Sequence, residues 1–377
     1  MTSIVYPTTN LKHVEQLNIV RGDGVYVYDD SGKEYLEGLA GLWCASLGYG
    51  NAELIEAITD QLKTLSYSHM FGGRTHNVVI QLAEQLSEML PVKNSKIFFA
   101  NSGSEANDSH IKMLRYYFNV TGEPQKKKII ALERSYHGVT VASAALTGLP
   151  ANHTHFDLPV DALGVIRAES PHYYRGRKDN ETEREFCERI IGNLEDLILR
   201  ENPETIAAFV AEPIGGASGV VVAPENYFPE VENLLTKYDI MLWSDEVICG
   251  FGRTGSPFGC QTMGFNPQLV SLAKQLSSAY LPISASVIPE YMHEAMIEPS
   301  SKVGVFGHGY TYTGHPAACA AALKTLEIYK RDNLFEHAAE MGEYLQTRLK
   351  EFDSHPLVGE VRGRGLLAAV ELVANKD

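Results

Sequence analysis

Three apolar runs in this chain each finish on an ionisable residue, and they recur at the length of one strand–helix–strand unit. TIAAFVA ends at Glu212, IMLWS at Asp245 and Glu246, and LVSLA at Lys274. Asp245 lies 33 residues after Glu212, and Lys274 lies 29 after Asp245, close to the ~30 residues of a βαβ unit. Ligands of an open α/β sheet collect outside the carboxyl ends of its strands. The spacing therefore predicts two carboxylates and an amine along one edge of one sheet. The plainer alternative is strands that end in unrelated surface charges. Three runs in register, with these residue types, favour the first reading.

The surrounding sequence keeps the same rhythm. SKIFFAN (95–101) precedes a helical stretch over about 105–120, and KKIIALE (127–133) precedes a stretch of small residues. Further helices are expected at about 181–200 and 230–238. Apolar residues at Leu54, Ile55, Ile58, Leu62 and Leu65 mark one helical face after Asn51, and 77–90 repeats the pattern. Such alternation predicts a mostly parallel sheet with helices on both faces. Residues 21–39 instead read as a β-meander with a turn at DSG. Beyond Pro316 the chain is helical, with a break near Asp332 and Asn333, and GEVRGRGLLAAVELV reads as a glycine turn and a strand. These outer segments predict a second, smaller α+β region. Its strand runs directly into Asp377, so this region reads as shortened at its C-terminus.

Composition excludes several classes. The 377 residues carry a formal net charge of −15, which repels phosphate backbones and anionic lipid and argues against nucleic acid or a membrane surface as partner. No apolar run approaches the ~18 residues of a membrane span, and the first residues lack the basic and apolar regions of a secretory signal. Cys44, Cys187, Cys249, Cys260 and Cys319 are odd in number and widely spaced. That pattern fits reduced thiols in the cytoplasm rather than a disulfide framework or a zinc site. His153, His155, His308 and His315 lack HExxH or any paired ligand spacing, so no metal is expected. His172 to Arg175 (HYYR) reads as a surface loop.

A lysine beside an aspartate at a sheet edge suits pyridoxal 5'-phosphate. The aldehyde of that cofactor forms a Schiff base with a lysine, and its pyridinium nitrogen needs a carboxylate partner. A phosphate site is then required. Asn101, Ser102, Gly103, Ser104 and Glu105 sit at a strand-to-helix junction, where free N–H groups suit an anion. Ser102 with Glu105 also reads as a capping box, and both readings are compatible. Tyr136, followed by His137 and Gly138, lies at the same predicted edge and can stack on a pyridine ring. Val247 can cover the opposite face.

NSGSEAND, YHG, AEPI followed by two glycines, SDEVICGFGRTG, AK with a downstream YLP, and HGYTYTGHP occur in that order. Together they resemble the class III pyridoxal-phosphate aminotransferases, the fold-type-I ω-transaminases, over about Val20 to Val373. GLW at 41–43, FGGR at 71–74 and YHGV at 136–139 are most similar to the amine–pyruvate and β-alanine–pyruvate transaminases. The resemblance implies an α/β large domain with a mostly parallel seven-stranded sheet between helices, plus a smaller α+β domain. Residues 1–45 would begin the small domain, 46–317 form the large cofactor-binding domain, and 318–377 form an incomplete C-terminal part of the small one.

The resemblance also implies roles. Lys274 would form the internal aldimine, Asp245 would pair with the pyridinium nitrogen, and Tyr136 would stack on the ring with Val247 opposite. Ser102, Gly103 and Ser104 would hold phosphate, with His137 and Glu212 supporting the cofactor. Thr311 would bind the phosphate of the neighbouring subunit's cofactor, which implies a homodimer with shared sites. Trp43, Phe71, Val139 and Ala217 would line the substrate pocket. The implied reaction is a ping-pong amino transfer from a primary amine or ω-amino acid to pyruvate or a similar keto acid. A biotin-pathway or diamine aminotransferase, a racemase, or a non-catalytic dimeric binding protein on the same fold are the rivals. Intact Lys274, Asp245 and the SGS turn argue against the last. The chain departs from the family pattern at Gln275 and Ala279, where glycine is usual, at PISA (282–285), and at Ala217–Ser218–Gly219. The family's carboxylate-gripping arginine is expected beyond Asp377.

Overall fold

The computed structural model of the protein describes residues 3–376. The predicted meander forms as β1 (Ile19–Asp23), β2 (Tyr26–Asp29) and β3 (Glu34–Leu36), all antiparallel. Asp29 closes the DSG turn, its Oδ1 accepting from Ser31 N at 2.9 Å and Lys33 N at 3.0 Å, the local hydrogen bonding that favours aspartate at turns.

A seven-stranded sheet organises the rest. Its strands are β4 (Lys96–Ala100), β5 (Lys128–Leu132), β6 (Val165–Ala168) and β7 (Ile206–Ala211). After a short ribbon of β8 (Ile214–Gly215) and β9 (Val221–Val222) come β10 (Met241–Asp245), β11 (Leu269–Leu272) and β12 (Ser284–Ile288). The spatial order is β4-β12-β11-β10-β7-β5-β6, and β12 alone runs antiparallel to its neighbours. This is the expected mostly parallel sheet between helices. β12 gave no strand signal because Ser284, Ala285 and Ser286 look like loop residues. They are small because they are buried, and Ser286 Oγ donates to Ala106 O at 2.8 Å.

The strands feed two cores, one on each face of the sheet. Ile206, Phe209 and Leu242 face a cluster with the helices Asn77–Met89, Glu183–Glu201 and Tyr227–Lys237. Ala208, Val210 and Trp243 face the other, with Gly103–Val120 and Glu290–Val303. Burial on both faces explains the near-continuous apolar runs. Phe209 is fully buried, and truncating such a residue to alanine costs ~3–5 kcal/mol.

Helix starts follow capping chemistry. Asn51 and Ser102 accept from the third residue of their helices, and Thr182 forms a full capping box with Glu185. At Ser102 the box is displaced: Ser102 Oγ accepts from Glu105 N at 3.2 Å, but the Glu105 carboxylate reaches back to Asn101 N at 2.7 Å. The face expected on the helix Ala52–Thr64 is only partly covered, with Leu54 buried but Ile55 and Leu62 about half exposed.

The C-terminal region holds the helices Pro316–Arg331 and Leu334–Lys350, with left-handed Asn333 at the expected break. The expected glycine turn falls at Gly365, but the residues before it form a further strand, β13 (Val358–Arg364), paired antiparallel with the expected strand after it, β14 (Leu367–Leu372). The glycines of β13 are needed for close packing: a Cβ at Gly363 would lie 2.6 Å from Gln346 Oε1. Among the described residues no helix is long and apolar enough to cross a membrane.

Candidate active site

β10 lies between β11 and β7 and runs parallel to both, with Asp245 opposite Ser271 and Ser244 opposite Ala211. Asp245 therefore ends the middle strand, Glu212 follows one neighbour and Lys274 follows the other. The junction after β4 and the loop after β5 open on the same edge. A cavity of about 350 Å³ there is lined by Ser102, Gly103, Ser104, Tyr136, His137, Glu212, Asp245, Val247 and Lys274, together with Asn107, Cys44 and Ile248 among others. That volume is in the range of small-molecule sites.

Asp245 is 3% exposed. Its Oδ2 accepts from His137 Nδ1 at 2.8 Å and from Asn107 Nδ2 at 2.9 Å, and its Oδ1 accepts from Val247 N at 3.2 Å. A carboxylate offers about four acceptor positions, so one is left for a donor in the cavity. Asn107 also donates to the backbone carbonyl of His137 at 2.6 Å, which fixes the Asn107 amide against that loop beneath Asp245. Asn107 Oδ1 and His137 Nε2 are buried without a partner among the described residues.

Glu212 spans the wall between Tyr136 and the loop after β8. Its Oε1 accepts from Tyr136 N at 3.0 Å and its Oε2 from Gly216 N at 2.9 Å. Burial pushes its pKa up to about 7; nearby His137 opposes this and Asp245 adds to it. Lys274 starts a short 3₁₀ turn at φ 49°, a left-handed conformation that costs a non-glycine residue about 1–3 kcal/mol. Its ammonium has no hydrogen-bond partner among the described residues. Burial pushes its pKa down, with Asp245 and Glu212 pulling against it.

The two sides of the cavity are closely fitted. A Cβ on Gly103 would sit 3.1 Å from Val247 Cγ2, so a side chain where the helix Gly103–Val120 begins would crowd Val247. Ser104 Oγ accepts from Val139 N at 3.0 Å, tying this helix start to the Tyr136 loop. At Gly138, φ is 127° and a Cβ would fall 2.5 Å from Ser104 Oγ, so only glycine passes.

Five residues implied by the resemblance stand outside the cavity wall of the single chain. Val139 is 63% and Phe71 52% exposed, and Ala217 and Thr311 also face solvent. Trp43 is half-buried at φ 56° beside the lining residues Leu42 and Cys44. Asn107 lies in the NSGSEAND motif, and the sequence pattern points to no role for it. Its signal is a polar residue on the buried face of a helix, beside Ala106 and His110.

Sheet order, the loaded edge and the donor set define a class of protein, the fold-type-I pyridoxal-phosphate transferases. The chain belongs to the class-III aminotransferase family, whose description matches residues 8–377. It is 49% identical over 365 residues to the chloroplastic gamma aminobutyrate transaminase 3 of Solanum lycopersicum, covering 97% of this chain and 70% of that protein. It is 48% identical to the vanillin aminotransferase of Capsicum chinense, covering 97% and 79%. The ω-transaminase of Pseudomonas jessenii in complex with PMP superposes with a TM-score of 0.97 at 50% identity, covering 99% of this chain and 83% of that one. The protein is a pyridoxal-phosphate-dependent transaminase that passes an amino group from a donor to a keto acid.

The residues present fit that cofactor. A spare acceptor position on buried Asp245, a Lys274 amine whose pKa burial lowers, and a helix N-terminus beginning at Gly103 are what a cationic ring nitrogen, an aldehyde and a phosphate each require.

Proposed function

We propose that this chain takes its amino group from a primary amine or an ω-amino acid and delivers it to pyruvate or a similar keto acid, with Lys274 as the reacting amine. The observation that carries the reading is the convergence of Lys274, Asp245 and Tyr136 on one cavity whose far side is a helix N-terminus. Pyridoxal phosphate, when bound, supplies a ring that withdraws electrons from the substrate carbon. The chain's residues do the rest. Asp245, fixed by His137 and Asn107, would hold a proton on the ring nitrogen. Tyr136 and Val247 would cover the two ring faces, and Ser102, Gly103 and Ser104 would hold the phosphate. Lys274, whose pKa burial lowers toward the neutral amine, would carry the proton to and from the substrate carbon, general acid–base work worth ~10²–10⁴ in rate. Trp43, Phe71, Val139 and Ala217 belong to the approach taken by the donor.

The same reading includes a homodimer. Tyr67 OH donates to Thr311 O at 2.9 Å, and Tyr67 packs edge-on against Tyr312. Phe71, beside Gly309, and Tyr312 leave large apolar surface exposed at this segment, as an interface between subunits requires. Thr311 then serves the partner's phosphate. Residues 46–317 form the cofactor-binding domain, and 1–45 with 318–377 form the smaller one. The five free thiols support a cytoplasmic protein.

A donor panel tests the substrate class. Purified protein with pyridoxal phosphate and pyruvate is offered 1-phenylethylamine, β-alanine, 4-aminobutyrate, vanillylamine and putrescine, and alanine formation is measured. Turnover with 1-phenylethylamine or β-alanine is expected. Turnover with putrescine alone would move the protein to diamine substrates, and racemisation of L-alanine without net transfer would refute amino transfer.

A further inference from the structure

The turn that carries Lys274 is tied to three other segments of the fold through Gln275 and Tyr329, neither of which lines the cavity. Gln275 is 3% exposed. Its Nε2 donates to Gly250 O at 2.8 Å and to Ile248 O at 3.3 Å. Those carbonyls belong to the turn that leaves Asp245, closed by Gly250 N donating to Glu246 O at 2.9 Å. One side-chain amide therefore joins the segment after Lys274 to the segment after Asp245. The Gln275 carbonyl in turn accepts from Tyr329 OH at 2.9 Å. Tyr329 is 3% exposed on the helix Pro316–Arg331, and its hydroxyl also meets Ser46 Oγ. Ser46 follows the lining residue Cys44, and Leu47 N donates to Ser278 Oγ at 2.8 Å.

These contacts surround a strained stretch. Lys274, Ser278 and Ala279 have φ of 49°, 48° and 64°. Positive φ at non-glycine residues persists only where surrounding contacts over-determine it. Gln275 has the chemistry for this, since its amide supplies two donors to two carbonyls. A glutamate there would turn oxygen toward both carbonyls, and a glycine would leave them unpaired.

We propose that Gln275 and Tyr329 are positioning residues that hold the Lys274 turn in its left-handed conformation, and so set how the lysine amine presents itself to pyridoxal phosphate. The inference rests on the reading of Lys274 as the reacting amine. Its physical content is that loosening either tether lets the amine leave its buried direction. The ionisable groups that face Lys274 are Asp245, Glu212, Cys44 and Cys249, and substitutions at 275 and 329 leave all four in place.

The test uses the full-length chain freed of cofactor. Pyridoxal phosphate is added across pH 6–10 and the rate of yellow-colour formation is followed for wild type, Gln275→Met and Tyr329→Phe. The reaction needs the neutral amine, so the midpoint of the rate profile reports the lysine. Met keeps the volume of Gln and Phe lacks only the hydroxyl, so both variants retain the packing. Expected are a midpoint displaced upward by about half a pH unit or more, and a plateau rate and cofactor affinity reduced about five- to tenfold. A purely structural role would lower the melting temperature of each variant without moving midpoint or plateau, and that result would overturn the proposal. Lys274→Ala is the control. If it still develops colour, the reading of Lys274 fails. If it stays colourless while the two variants match wild type, the tethering inference alone fails.

Discussion

Glu212 is the residue whose energetics the structure constrains most tightly. Its buried carboxyl has a pKa raised to about 7 from an ordinary 4.5, chiefly by burial. At ~1.4 kcal/mol per unit that difference corresponds to roughly 3 kcal/mol. The folded chain holds the proton more tightly than the unfolded one. Below about pH 4.5 both states are protonated and the full contribution is present. Between 4.5 and 7 the unfolded state ionises first, so stability falls as pH rises. Above 7 both are ionised, and the loss of about 3 kcal/mol is complete. Glu212→Gln removes the ionisation. Both carboxyl oxygens accept backbone N–H groups, so the introduced amide must set its own NH₂ against one of them, at ~1–3 kcal/mol independent of pH. Urea unfolding of the cofactor-free protein at pH 5 and pH 8 reads the outcome. The Glu212→Gln variant should be the less stable at pH 5 and should equal or overtake wild type at pH 8. A wild-type-minus-variant difference that stays constant across this range would refute the burial argument.

Two further outcomes follow from the same cavity. Asp245→Asn must keep its oxygen toward His137 and Asn107, which turns NH₂ toward Val247 N and the spare cavity position; cofactor should still bind, while single-turnover proton transfer should slow by about 10²–10³, and an unchanged rate would contradict the role of Asp245. Thr311→Ala and Lys274→Ala subunits should each be inactive or weak alone, yet regain up to half the wild-type activity when mixed and reassembled, because one site of the mixed dimer receives both intact residues; no recovery in verified mixed dimers would remove Thr311 from the partner's site.

The reactive edge was legible because parallel strands buried on both faces write themselves as apolar runs, and Glu212, Asp245 and Lys274 punctuate three neighbours in one sheet. Gly103 was legible as part of a phosphate-suited junction, but the contacts a Cβ would meet at Gly103 and Gly138 come from facing segments that local sequence does not show. β12 was not legible. Its serines resemble a loop until the sheet supplies Ala106 O as an acceptor. Asn107 needed knowledge of a partner 138 residues away in Asp245. Gln275 stood out as a departure from a family pattern, but its bonds to Ile248 and Gly250 depend on how two turns meet, which local sequence does not encode. The GEVRGR strand was obscured by Gly359 and Gly363, whose missing side chains serve packing against Tyr174 and Gln346 rather than a turn.

The central claim is that the amine of Lys274 is the group on this chain that bonds to pyridoxal phosphate. Borohydride reduction of the loaded protein, followed by peptide mapping, tests it most directly. The phosphopyridoxyl mass should fall on the peptide containing Lys274, in wild type and in Gln275→Met alike. A stable label on another lysine, with Lys274 unmodified, would contradict the account.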